Sequence, residues 1–181
     1  MSSMSLIFIW LDQRLGNLPG GNEKLKEKFR NILSPIKQFD KPTNCYDYIK
    51  DTIKDKQVIF LTTKSFAQQD FLCSIASLSN VILMYIYDTS NQDYSINDKI
   101  LQQKMGEQRI IRFDELLYEQ LIIDLTSIYQ NQSEQLLKDK QNKQAKQLLE
   151  QAYQLINNIE EKNEDLQQIQ NDLLIKIDQI K

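Results

Sequence analysis

The residues with reactive potential in this chain are few. Histidine is absent from all 181 positions, which removes the commonest general base and metal ligand. Cys45 and Cys73 are the two thiols, and neither has a histidine to serve as its base. Asp12, Asp40, Asp88 and Asp114 each follow an apolar run. Converging, they would make an oxygen-rich cation site. Helix capping accounts for Asp114 more simply, and solvated loop positions account for the other three. Gly16-Asn17-Leu18-Pro19-Gly20-Gly21-Asn22 imitates a phosphate-binding loop in spacing, but Asn22-Glu23 stands where Lys-Ser/Thr is required. Taken together these residues predict no catalytic, cofactor-binding or metal-binding residue and no cofactor.

Composition narrows the partners. The chain carries 22 basic and 25 acidic side chains, a net charge of -3. Residues 1–106 are slightly basic and residues 107–181 acidic. Neither part has the basic stripe that a phosphate backbone demands, so nucleic acid is not an expected partner. No stretch approaches the roughly 20 apolar residues of a membrane span. The opening MSSMSLIFIWLDQR lacks a basic leader and a cleavage site. Two thiols do not form a disulfide framework. A cytoplasmic protein without membrane contact is the expectation.

The elements that would position any site alternate regularly. Ser5–Asp12 (SLIFIWLD) reads as a buried first strand, with Trp10 as a core aromatic. Asn22 is a cap for a helix through Phe29, Ile32 and Leu33, closed by Pro35. Ile36–Phe39 is a short strand near an edge. Thr43 or Asn44 opens a helix with Tyr46, Ile49 and Ile53 on one face. Gln57–Thr62 is the third strand, and Ser65 is the predicted cap of a helix through Leu72, Ile75 and Leu78. Val81–Tyr87 is the longest buried-strand run. A weak helix over Ile96–Met105, a strand over Arg109–Phe113 and a helix opened by Asp114 follow. Five strands alternating with helices require crossovers, hence a parallel sheet covered on both faces. The predicted class is α/β, a five-stranded flavodoxin-like sheet of order 2-1-3-4-5. The three most apolar runs are then internal.

No glycine or proline follows Gly106. The polar stretch Asn131–Ser133 marks a predicted hinge or cap, giving an α/β domain over 1–130 and a helical tail over 131–181. From Ala145 a heptad can be written with Ala145, Ala152, Ile159, Leu166, Leu173 and Ile180 at a. Leu148, Leu155, Lys162, Ile169 and Lys176 fall at d. A continuous helix or coiled coil of roughly 55 Å is the expectation. Asn157-Asn158 and Asn163 are the places where it would break. Such a narrow stripe needs a partner helix: a second copy, the preceding helix of the same chain, or another protein.

The succession IFIWLD, CYDYIKDTI, QVIFLTTKSFAQQDFLCSIASLSNVILMYIY, IIRFDEL resembles a receiver- or TIR-like α/β domain over residues 5–120. Such domains precede tetratricopeptide repeats or an ADP-ribosyltransferase domain in some invertebrate multidomain proteins. Gln144–Ile156 is similar to one helix of a tetratricopeptide unit. A receiver domain's phosphoacceptor aspartate would lie where Thr62-Thr63-Lys64 stands. Its acidic pair is reduced to Asp12, and Asp114 replaces its lysine. Thr89 or Ser90 matches its hydroxyl. Ser65–Ala76 resembles the serine-rich segment of TIR domains, with Leu72-Cys73 for Trp-Cys and Ala76 where NAD-cleaving members carry glutamate. The resemblance therefore implies a scaffold, not an enzyme. The expected function is a non-catalytic protein–protein interaction module whose partner, or second copy, is engaged through 145–181. A degenerate nucleotide- or NAD-binding TIR-like domain is the alternative.

Overall fold

The computed structural model describes residues 5–13, 23–32, 34–88, 99–105, 110–112, 114–159 and 162–180. The glycine-rich loop 16–22, the hydroxyls of Thr89 and Ser90, and Ile96 lie outside them.

Two compact units divide the chain, residues 1–117 and residues 118–181. In the first, the apolar runs form strands β1 (Leu6–Leu11), β2 (Ile36–Phe39), β3 (Gln57–Thr63), β4 (Val81–Tyr87) and β5 (Ile110–Ile111). All neighbouring strands pair in parallel, in the order β2-β1-β3-β4-β5. The fold is α/β and flavodoxin-like. The alternation of side chains across a strand explains why the internal strands are apolar throughout. Ile7, Ile9, Leu11, Val58, Phe60, Met84 and Ile86 enter one core cluster. Phe8, Trp10, Ile59, Leu61 and Tyr85 are buried on the opposite face.

Right-handed crossovers distribute the helices. α1 (Glu23–Ile32), running from β1 to β2, falls on one face with Phe29 and Ile32 buried. α2 (Pro42–Asp47), α3 (Gln69–Ser77) and α4 (Lys99–Met105) fall on the other. Cys45 of α2, Leu72, Ile75 and Ala76 of α3, and Met105 of α4 complete the core cluster there. Local starts differ from those predicted. Proline is favoured in the first turn because its missing N–H has no helical acceptor there, and α2 begins at Pro42. It continues as a π-helical turn, Tyr48–Thr52, which brings Ile49 and Ile53 into the core. Ser65 is not a cap: it lies in a 3-10 turn, Lys64–Phe66, and α3 starts only after Gln68. Of the predicted strand Arg109–Phe113, Ile110–Ile111 form β5 and Arg112 is past its end; Arg109 and Phe113 lie outside the described residues.

The helix α5 (Asp114–Lys138) begins in the first unit and continues through the second. It runs unbroken through Asn131–Ser133, so the hinge expected there is not formed. Ser133 is buried, and its hydroxyl donates to the Ala145 carbonyl at 3.0 Å. A polar residue with a fixed acceptor satisfies a helix–helix contact as well as an apolar one, which is why composition misplaced the joint.

The joint lies at Asp139–Gln141. There the Gln141 N–H donates to the Leu136 carbonyl at 2.8 Å and the Lys140 N–H to the Leu137 carbonyl at 3.0 Å. These two bonds are the six-to-one and five-to-two pairs of a Schellman cap, with Lys140 at φ 59°. The chain then reverses into α6 (Asn142–Asn157) and, after a second turn, α7 (Glu164–Gln179).

The single 55 Å helix is therefore replaced by a hairpin. Asn157 ends α6, and Asn163 caps α7 by accepting from the Leu166 N–H at 2.9 Å. Asn157 also bonds Gln170. Asn163 offers the backbone a local hydrogen bond that competes with helix continuation. Replacing Asn163 by alanine should lower the stability of the hairpin by about 1 kcal/mol, measured as a lower thermal midpoint with helix content unchanged at low temperature.

Candidate functional site

In open parallel sheets, ligands bind outside the carboxyl ends of the strands, where neighbouring crossovers leave in opposite directions. Here that point lies between β1, which feeds α1, and β3, which feeds α3. A row of polar residues follows the strand ends: Asp40 after β2, Asp12 after β1, Thr63-Lys64 at β3, Asp88 after β4 and Arg112 after β5. Strands about 4.8 Å apart set the spacing of this row. The backbone holds it in place, since the Asp12 N–H donates to Phe39 and the Asp88 N–H to Ile111, each at 3.0 Å.

The side chains along the row engage one another. Thr62 is fully buried, and its hydroxyl lies 3.3 Å from the Leu11 and Thr63 carbonyls. It is turned into the backbone, where a receiver-type phosphoacceptor would face outward. Thr63 and Ser65 share a hydrogen bond at 2.8 Å. Lys64 Nζ stands 3.5 Å from Asp88 Oδ2, with Asp88 4% exposed and Lys64 35% exposed.

Asp88 corrects the expectation of a solvated loop acid. It is buried because it directly follows a central strand, and a carboxylate there needs a cation beside it. The signal was present in the sequence: the residue after VILMYIY must lie at the carboxyl edge of an internal strand. Its cation could not be read, because Lys64 and Asp88 are joined only by the β3–β4 pairing. Asp12 is half-buried and Asp40 exposed. The side chain of Asp114 lies outside the described residues. Among the described residues, no group of three or more His, Cys, Asp or Glu residues is arranged to hold a metal ion.

Neither thiol is part of a disulfide. Cys45 is fully buried, and desolvation pushes its pKa up to about 12. It is a core residue with no thiolate to offer at neutral pH. Cys73 is half-buried on α3, four residues before Ser77, and Ala76 packs into the core at the position where a TIR-type glutamate would act. Lys104 of α4 donates to the Leu78 carbonyl at the end of α3, at 2.7 Å. Burial holds its ammonium below the ordinary lysine value.

The second unit carries a concave pocket of about 400 Å³. Leu137, Leu149 and Ile180 supply apolar walls, and Glu134 and Lys176 form an ion pair at 3.4 Å across it. That pair explains one of the two lysines in the predicted heptad: Lys176 reaches α5. The other, Lys162, lies in the α6–α7 connection and donates to the Ile159 carbonyl at 2.9 Å. Ala145, Ala152, Ile159, Leu166 and Leu173, five of the six a positions, are buried, as are Leu149, Ile156 and Ile177. The outer side of α7 exposes Leu174 and Ile175, at 41% and 55%. Across these two sites, the structure offers a buried ion pair at a sheet edge and an apolar pair on a helix. The chain matches no protein-family model, no curated protein and no solved structure.

Proposed function

We propose that the chain is a non-catalytic interaction or scaffold module of the cytoplasm, in which a receiver- or TIR-like α/β domain carries a helical docking element over 145–181. The observation that carries this reading is the pair Leu174–Ile175. Helix α7 satisfies its apolar seam inside its own unit and still presents two large aliphatic side chains on a face otherwise rich in Gln, Asn and Asp. The chemistry of the sheet edge supports it. Thr62 is bonded to backbone, Lys64 is held by Asp88, and Cys45 is inert.

A protein set retained by the immobilised chain should be lost when Leu174 and Ile175 are both replaced by glutamine, with circular dichroism unchanged. Retention of the same set by the double variant would remove the docking role of α7.

The alternative, a degenerate nucleotide- or NAD-binding domain, is favoured by one observation. Lys64, Thr63 and Ser65 lie together beside the β1–β3 crevice. Calorimetric titration with NAD, ATP and GTP separates the readings: micromolar binding of any of them would displace the scaffold reading.

A further inference from the structure

The joint between α5 and α6 is short and strained. Asp139–Gln141 is all that separates two helices, and Lys140 occupies the left-handed region at φ 59°. A side chain with a Cβ is disfavoured there, and glycine is the usual occupant of this position in a Schellman cap. The surrounding sequence, LLKDKQNKQAKQLL, contains neither glycine nor proline and is dominated by helix formers. Straightening the joint would relieve the left-handed residue and add intrahelical hydrogen bonds. It would also carry α6 and α7 away from the α5 segment they pack against. The Ser133–Ala145 bond, the Glu134–Lys176 pair and the apolar pocket that Leu137 shares with Leu149 and Ile180 would then be remade against the α5 of another molecule.

We infer that this unit exchanges its α6–α7 hairpin with a second copy of the chain, Asp139–Gln141 acting as the hinge that joins α5 and α6 into one helix. Short hinges under strain favour such exchange, because every contact of the closed form recurs in the dimer and only the hinge differs. Twofold symmetry gives two relieved hinges per dimer. The proposal rests on the reading that 145–181 engages another molecule, and it names that molecule as the chain itself. Leu174 and Ile175, on the outer side of α7, stay outward in both forms.

The Glu134–Lys176 pair supplies the test. Equal amounts of unlabelled and ¹⁵N-labelled chain are unfolded together and refolded at low and at high concentration. The monomer and dimer fractions are separated with light scattering and treated with a zero-length carbodiimide crosslinker. Mass spectrometry of the Glu134–Lys176 crosslink then reports whether its two halves come from one copy or two. The expected result is a dimer fraction that grows with refolding concentration and carries mixed-label Glu134–Lys176 crosslinks, while the monomer fraction carries only same-label ones. Lys140→Gly, which removes the left-handed penalty from the closed form, should lower the dimer fraction about fivefold or more. Lys140→Ala, which keeps that penalty, should not. A chain that stays monomeric at every refolding concentration overturns the exchange. So does a dimer whose Glu134–Lys176 crosslinks are all same-label. Neither result bears on Leu174 and Ile175, so the docking reading stands or falls by its own variant.

Discussion

Phe60→Ala lowers the unfolding free energy by about 3–5 kcal/mol, against a total of about 5–15 kcal/mol for a domain of ordinary stability. Phe60 lies in β3, fully buried, between β1 and β4. Its ring meets Phe71 of α3 edge-on, with centroids 6.2 Å apart and planes at 66°. Truncation removes the transferred apolar area, leaves a cavity in a close-packed layer and deletes an aromatic pair. The surroundings cannot collapse to fill the gap, because parallel pairing on both sides fixes the backbone. Trp10 reports the transition: it is the only tryptophan, 2% exposed, and aligned with Leu61 across the β1–β3 ladder. Urea unfolding followed by its fluorescence should show the midpoint falling with little change in slope. A loss below about 1 kcal/mol would contradict a filled core on this face of the sheet.

Lys64→Met produces the second large effect, a loss of about 1–3 kcal/mol. A buried pair broken at one end costs more than this range, and partial solvation of Lys64 reduces it. The mechanism is asymmetric. Methionine takes the aliphatic stem's place, but Asp88 at 4% exposure keeps its charge and loses the ammonium 3.5 Å from its Oδ2. The double variant Lys64→Met, Asp88→Leu removes both charges and should recover a large part of the loss. The cycle should then show a coupling of about 1 kcal/mol or more between the two positions. Additive single effects would mean that the 3.5 Å pair contributes nothing to stability. The pair ties the ends of β3 and β4 together at the edge where this class of fold places its ligands.

The two halves of the chain differ in how far they could be read. Within the first, runs such as SLIFIWLD and VILMYIY are apolar on both faces, a pattern that only a covered parallel sheet tolerates. The strand order followed from the alternation of five strands with helices, and the three most apolar runs agreed with it by falling at internal positions. Local starts were less legible. Ser65 has the right chemistry for a cap, but the 3-10 turn directs its hydroxyl to Thr63. In the second half the a positions were legible and the rest of the stripe and its partner were not. Ala145, Ala152, Ile159, Leu166 and Leu173 are buried, but the apolar d positions Leu148, Leu155 and Ile169 are half-buried, and Leu149, Ile156 and Ile177 take the inner places. A one-dimensional pattern, however, has the same form whether the covering helix belongs to another molecule or to the next turn of the same chain.

What the sequence by itself determined was the class of the fold, the order of the five strands and the apolar side chains hidden within the internal strands, because burial periodicity and crossover handedness are local and directional. What only the tertiary structure decided was where the long helical region folds back and which charges meet. The reversal at Lys140 is a left-handed residue that propensity disfavours, held by two backbone bonds. The Lys64–Asp88 and Glu134–Lys176 pairs join residues far apart in the chain. Such contacts carry no periodic signature. They arise when packing has already brought the two segments together, and only then does the free energy of pairing act on them.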